Sequence, residues 1–332
     1  SHPASPAALQ AGYRVTVVTQ VSEYADKIKN QGFNLIPLAI DRQSGSIIRE
    51  IKLLFQLKKI FKNEIPDLIH HIAIKPILYG GMAAFLAGVS KNVYTLAGLG
   101  YAFTSKQKKA RIYQLIIQLF FGFLFSRECR VIFQNPDNYQ LITDKGLIKP
   151  EKAFLIRGSG VDLKKFAPVE ESMTVDETLF ENKEAERIVV LASRMVWEKG
   201  IGEFVEAARI LLSQGVKARF WLVGESDAGN RNAVSEEQLR QWNKEGVIEW
   251  QGPSRDIAEA FRHAHIVTLP SAYGEGVPKV LLEAAASGLP IVTTNMPGCR
   301  EVVKEGVNGF LVPKEDAEQL AAALKKLIND PV

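Results

Sequence analysis

The residues best placed to do chemistry lie in Ser271-Ala-Tyr-Gly-Glu-Gly-Val-Pro-Lys-Val-Leu-Leu-Glu283, where two carboxylates, Glu275 and Glu283, stand with seven residues between them. The apolar run 265–270 just ahead reads as a buried strand. Gly274 and Gly276 supply a flexible turn, Pro278 suits the first position of a helix, and Gly288 suits its end. Strand, glycine turn and helix N-terminus make an anion site of backbone N–H groups and a positive dipole end. A carboxylate beside a phosphate would repel it, so the two glutamates suit neutral hydroxyls instead. A nucleotide sugar offers both, a diphosphate together with ribose and hexose hydroxyls. The plain alternative is two solvated charges, one on a loop and one on a helix.

Arg194 and Lys199 fall in one loop after the apolar strand 188–192. Two cations at a strand's C-terminal end, beside the crevice of an α/β domain, suit a diphosphate. Where that diphosphate is the leaving group, its charge grows in the transition state and fixed cations lower the barrier. A solvated charged loop fits the same spacing. Earlier in the chain, Pro66-Asp67-Leu68-Ile69-His70-His71 ends an apolar run in two histidines. Such a residue is either a cleft ligand or base, or a satisfied core histidine.

These residues need elements to hold them. Short β-rich runs alternate with helical patterns, which argues for parallel α/β sheets. Strands are expected at 14–19, 33–37, 67–72, 92–96 and 130–134, then at 186–193, 219–223, 247–251, 265–269, 290–293 and 309–312. Helices are expected at 47–63, 108–125, 202–214 and 317–329. Residues 170–186 are acid-rich without periodicity and read as an exposed loop. Two glycines ahead of a polar stretch put a domain boundary near 158–164, and no internal repeat or low-complexity tract is evident.

At 332 residues the chain can fill two domains of ordinary size. It holds no apolar run long enough to span a bilayer and no signal-peptide pattern at its start. Two cysteines, Cys129 and Cys299, make no disulfide framework and read as small buried hydrophobes in a reducing cytoplasm. The net charge of +4 conceals a basic first half, +11 over residues 1–160, and an acidic second half, −7 over 161–332. A basic domain faces something anionic. No nucleic-acid motif accompanies the charge, so an anionic membrane surface is the expected partner and nucleic acid is not. Lys106-Gln-Lys108-Lys109-Ala-Arg111 runs into the Ile-, Leu- and Phe-rich stretch 112–125. That stretch can lie in an interface and position a lipid-linked acceptor, or be a core helix entered by a basic turn.

Around the two glutamates lie Trp250-Gln251-Gly252, Pro270-Ser271, Ala284-Ala285-Ala286-Ser287-Gly288-Leu289-Pro290-Ile291-Val292 and Gly306-Val307-Asn308-Gly309-Phe310-Leu311-Val312-Pro313. Upstream are Ala192-Ser193-Arg194-Met195-Val196-Trp197-Glu198-Lys199-Gly200, Leu222-Val223-Gly224-Glu225, and Gly158-Ser159-Gly160-Val161-Asp162 followed by Phe166 and Pro168. In this order, over most of residues 158–313, the chain resembles the retaining GT-B glycosyltransferases of family 4. The resemblance implies two Rossmann-like domains facing across a cleft, an acceptor-side domain over 1–157 and a nucleotide-sugar-binding domain over 158–332. It implies that Glu283 reaches the ribose, that Glu275 lies nearer the transferred sugar, and that Arg194 and Lys199 take the diphosphate. Gly224, Gly274, Gly276, Val277 and Pro278 would shape the donor site. In Tyr94-Thr95-Leu96-Ala97-Gly98-Leu99-Gly100-Tyr101, Gly98 and Gly100 would let backbone approach the donor, while Ala97 stands where many members carry a histidine. His70 and His71 match a strand whose histidines line the cleft.

The family has no settled nucleophile. Glu275 could stabilise an oxocarbenium-like sugar, or the donor phosphate could take the acceptor proton on the front face. No Asp-x-Asp site or metal-ligand cluster is present in the sequence, so no metal and no cofactor beyond the nucleotide-sugar co-substrate is expected. By the same resemblance a first strand before residue 1 and C-terminal helices after residue 332 are expected to be missing, as in a fragment. The expected function is transfer of a sugar, from UDP by preference, to a lipid-linked or polysaccharide acceptor in cell-surface glycan synthesis. The place of action would be the cytoplasm, at the inner face of the membrane. Two alternatives stand beside it: a nucleotide-sugar 2-epimerase of the same fold, and a non-catalytic nucleotide-sugar-binding module, which Ala97 and the expected lack of a first strand would favour.

Overall fold

The computed structural model describes residues 4–20, 25–38, 47–99, 108–168, 186–227, 229–230, 232–253 and 256–329. The expected loop at 170–186, Gly100 and Lys106 therefore lie outside the described residues, apart from Glu186. The chain forms two compact units, one of Ser1–His71 with Lys75–Asn92, the other of Ile72–Ile74 with Val93–Val332.

In the first unit β1 (Thr16–Thr19) and β2 (Asn34–Pro37) pair in parallel, with Thr16 opposite Asn34. Around them are α1 (Ala4–Gln10), α2 (Ala25–Asn30), α3 (Ile47–Glu64), most of β3 (Ile69–Ile72) and most of α4 (Ile74–Ala87). The four-residue spacing of Leu53, Leu57 and Phe61 puts one stripe of α3 into a core shared with Leu38, Ala83 and Ala84. His71 belongs to this interior. Its Nε2 lies 3.1 Å from Asn92 Oδ1, and the ring sits so close under Gly80 that a Cβ there would fall 2.5 Å from its Nδ1. Burial holds its pKa down at about 4, so the ring is neutral. His71 is thus buried with Asn92 as a hydrogen-bond partner, and His70 is half-buried.

The second unit holds most of β4 (Asn92–Leu96), then β5 (Cys129–Phe133) and β6 (Ala153–Leu155) in chain order, with α5 (Lys108–Phe125) and α6 (Pro136–Asp144) between them. β6 has no counterpart among the expected strands, because three residues are too few to show a period. α5 divides into two faces. Ile117, Phe121, Leu124 and Phe125 are buried, whereas Ile112, Leu115, Ile116, Leu119 and Phe120 are exposed at helical spacing.

The rest of the unit is a six-stranded parallel sheet: β7 (Arg187–Ala192), β8 (Ala218–Val223), β9 (Glu249–Trp250), β10 (Ile266–Leu269), β11 (Ile291–Thr294) and β12 (Gly309–Val312). Alternating with them are α7 (Ile201–Ser213), α8 (Glu236–Lys244), α9 (Ile257–His263), α10 (Lys279–Ala286) and α11 (Ala317–Asn329). The strand order β12-β11-β10-β7-β8-β9 starts at the centre, runs to one edge, then returns to the centre and runs to the other. Helices cover both faces, which is why the strands read as unbroken apolar runs. Val189 and Leu191 pack with Phe204 and Leu324 on one side, and Val190 and Ala192 with Phe261 and Leu281 on the other. Reversal of strand order opens a crevice beyond the carboxyl ends of the two central strands. Those strands are β7 and β10, paired in parallel with Val189 opposite Ile266.

Candidate functional site

β7 and β10 end in the two segments whose residues drew notice first, Ser193–Gly200 and Ser271–Gly276. Buried Met195 and Val196 anchor the first segment, and Met195 N–H donates to Glu225 C=O at 3.0 Å. A short 3-10 turn over Trp197–Lys199 then aims Lys199 back toward β10. The segments are stitched together, since Ala272 N–H donates to Glu198 C=O at 2.9 Å and the Ser271 hydroxyl donates to the same carbonyl at 3.3 Å.

This seam brings Lys199 Nζ to 2.7 Å from Glu275 Oε2, with each side chain only 13% exposed. Burial works against the ammonium charge, but Glu275 and Tyr273 outweigh it and the Lys199 pKa is raised. Nζ also lies 5.5 Å from the centre of the Tyr273 ring. Glu275 Oε1 is buried and has no hydrogen-bond partner among the described residues. One carboxylate oxygen is thus held by a cation while the other can accept an O–H. Behind the pair, burial first and the Glu275 charge second push the Cys299 thiol up to about 12, which leaves it protonated.

Arg194 leaves the same strand end in another direction. Its Nη1 lies 2.7 Å from Asp227 Oδ2, with the side chains 53% and 34% exposed. Gly224, the residue after β8, packs its α-carbon against the Ser193 carbonyl so closely that a Cβ would fall 1.8 Å from that oxygen. The Gly224 carbonyl accepts from Trp250 Nε1 at 2.9 Å.

α10 begins at Lys279, and Pro278 is its N-cap rather than its first helical residue, because ψ 122 keeps Pro278 extended. Gly288, at φ +73, follows the last turn and ends the helix. Glu283, the fifth residue of α10, is half-turned into the protein, 3.3 Å from Lys279 Nζ. Burial raises its pKa, with Lys279 pulling the other way. Val277 is buried at the head of the helix and faces Gly158.

The turn carrying Glu275 has walls the sequence reading missed. Glu275 N–H donates to Pro297 C=O at 3.1 Å. The Asn135 side chain donates to the carbonyls of Glu275 and Gly276 at 2.7 and 2.8 Å. Gly276 admits no side chain, because a Cβ would lie 2.1 Å from Gln134 Oε1 and 2.5 Å from Ala97 O. Gly98, at φ +136, abuts the Gly276 N–H from the other side. The site therefore unites Lys199, Glu275, Gly276, Gly98 and Ala97, with Gln134 and Asn135 added. An Asn followed by Pro at a strand's end does signal a helix start, but nothing near it in sequence signals the carbonyls it holds. Among the described residues no group of three His, Cys, Asp or Glu could hold a metal ion, and no helix is long and apolar enough to cross a membrane.

Residues 186–330 match the family described as glycosyl transferases group 1, and residues 5–135 match the one described as glycosyl transferase 4-like. Over 95% of its length the chain is 30% identical to an N,N'-diacetylbacillosaminyl-diphospho-undecaprenol alpha-1,3-N-acetylgalactosaminyltransferase of Campylobacter jejuni, covering 82% of that protein. Over 86% of its length it is 27% identical to a UDP-Gal:alpha-D-GlcNAc-diphosphoundecaprenol alpha-1,3-galactosyltransferase of Escherichia coli, covering 73% of it. In fold it is similar to HepE of Anabaena, solved in complex with UDP and glucose, with TM-score 0.75 and 20% identity. That match covers 98% of this chain and 85% of the other.

Proposed function

From the premise that this chain belongs to the family 4 GT-B glycosyltransferases and is an enzyme of that class, we propose that it transfers a sugar from UDP, with retention, to a polyprenyl-diphosphate-linked glycan. The observation that carries this reading is the buried Lys199–Glu275 pair at the crevice between β7 and β10, with one Glu275 oxygen still able to accept.

In the reaction the acceptor hydroxyl oxygen bonds to the anomeric carbon, and the bond from that carbon to the diphosphate breaks with its electron pair leaving on UDP. The acceptor proton passes to a donor phosphate oxygen. An ammonium has three N–H donors. Lys199 spends one on Glu275 and directs the others at the leaving diphosphate, where negative charge grows. Glu275 Oε1 accepts a hydroxyl of the transferred sugar and opposes the positive charge developing on its ring. Glu283, one and a half turns into α10, accepts from the ribose hydroxyls, and Arg194 at the rim draws the diphosphate in. Cations thus take the role a metal would have, and turnover should be indifferent to EDTA. A strict need for a divalent ion would overturn that part of the reading.

The relatives named for undecaprenol-linked acceptors support a lipid-linked acceptor, which the proposed reading places at the cytoplasmic face of a membrane. The exposed stripe of α5, from Ile112 to Phe120, supports attachment to that surface. Basic residues Lys108, Lys109 and Arg111 open this helix, and it contains no Asp or Glu.

The test is a panel of UDP-glucose, UDP-galactose, UDP-N-acetylglucosamine and UDP-N-acetylgalactosamine with a synthetic polyprenyl-diphospho-hexosamine. Acceptor-dependent release of UDP, with an α-linked product by NMR, is expected. Conversion of the UDP-sugar without acceptor would favour the epimerase. UDP should raise the melting temperature by mass action, and equal shifts with ADP and GDP would defeat the uridine assignment.

A further inference from the structure

We propose that Asn135 is a positioning residue for the transfer, holding the Glu275–Gly276 turn through its side-chain amide. This inference rests on the reading that Glu275 faces the transferred sugar. Asn135 stands where β5 gives way to α6, fully buried. Its Oδ1 accepts the Asn138 N–H at 2.8 Å and caps the helix, with Pro136 in the first turn. Its Nδ2 donates to Glu275 C=O at 2.7 Å and to Gly276 C=O at 2.8 Å. The partners fix the amide's orientation, since the reverse would set N–H against N–H and oxygen against two carbonyls.

Capping alone does not call for this residue. Ser, Thr and Asp cap as well, but none of them can accept from a helix while donating to two carbonyls 140 residues away. Both carbonyls sit where an unmet acceptor is costly. With Pro297 holding the Glu275 N–H and Asn135 holding its C=O, both peptide planes flanking Glu275 are set. The direction of its side chain then follows, and Lys199 fixes the tip. The Gln134 amide against Gly276 closes the remaining room for the turn to shift.

The experiment uses the full-length enzyme with whichever of the four UDP-sugars it turns over fastest. Asn135→Ser keeps an oxygen for the Asn138 N–H but is too short to span to the two carbonyls. Turnover should fall roughly tenfold to a hundredfold, the scale of a misplaced reacting group, while UDP affinity by calorimetry stays within about twofold. In a Glu275→Gln background the same substitution should cost less than about twofold, because it acts through that carboxylate. A purely structural role would cost the same factor in both backgrounds and would weaken UDP binding in parallel, and either result overturns the proposal. Should the serine variant not fold, Asn135→Thr carries the same test, since it keeps a capping oxygen and fills more of the space while remaining too short to reach the two carbonyls. Normal turnover in Glu275→Gln would sink the underlying reading and this inference with it. A large loss there beside normal turnover in Asn135→Ser would sink this inference alone.

Discussion

Lys199–Glu275 and Arg194–Asp227 are both cation–carboxylate contacts of 2.7 Å, and both cations follow β7. Their surroundings differ. The first pair is 13% exposed on each side, the second 53% and 34%. An exposed pair contributes about 0–1 kcal/mol, because water and salt screen it. In the buried pair the attraction is stronger, but each charge has given up its hydration and depends on the other. Contact length therefore says little about what an ion pair does. Burial makes Lys199 and Glu275 one unit whose members cannot be removed singly, while Arg194 is a half-exposed charge that, on the proposed reading, would exchange Asp227 for the diphosphate.

That contrast is tested most severely at Lys199. Lys199→Ala strands Glu275 in a buried site, so unfolding free energy should fall by about 3–5 kcal/mol, with turnover down by about 10²- to 10³-fold. Thermal denaturation and kinetics at saturating donor read the two losses together. A stable variant with unchanged turnover would mean that the pair is neither coupled nor catalytic. Glu275→Gln keeps the shape and a donor–acceptor group beside Lys199, so stability should change less. Turnover should drop by about 10²-fold with donor affinity nearly kept, because the lost charge matters most as the sugar becomes cationic. If affinity fell and turnover did not, the ribose and sugar roles of the two glutamates would have to be exchanged. Arg194→Ala should leave stability within about 0.5 kcal/mol and lower turnover by about tenfold, with a weaker salt dependence of donor binding. A stability loss like that of Lys199→Ala would erase the distinction between the pairs.

How much of this could be read beforehand follows the same division. The strand, turn and helix that carry Glu275 and Glu283 announce themselves through local signals, an apolar run, two glycines, and a Pro before the helix with a Gly after it. Arg194 and Lys199 are visible as loop cations, but their partners are not. Glu275 lies 76 residues from Lys199, and the two meet because β10 returns beside β7. Asn135 is legible as a cap and illegible as a donor to Glu275 for the same reason. His71 is undecidable until Asn92, 21 residues on, turns out to face it. α5 is apolar nearly all round, so its sequence could not separate the face that builds the core from the face that meets solvent. Local chemistry is written locally, whereas pairing across the sheet is a property of strand order.

Glu283 supplies a third pair between the two extremes, its carboxylate 11% exposed beside a Lys279 that is 61% exposed. Burial raises its pKa, and an exposed lysine at one helical turn offsets this only in part. On the proposed reading, the ionised form is the one that would accept from ribose hydroxyls. As pH falls, Glu283 should take up a proton earlier than an ordinary glutamate, and UDP affinity should weaken on the acid side from a pH above the usual carboxylate range. Calorimetric titration of UDP against pH reads this directly. Glu283→Gln should remove the acid limb and bind UDP moderately more weakly at neutral pH, with turnover at saturating donor little changed. Lys279→Ala withdraws the cation 3.3 Å from Glu283, so it should shift the limb to still higher pH. An acid limb that stayed in place in both variants would show that some other group governs donor binding, and Glu283 would lose its role at the ribose.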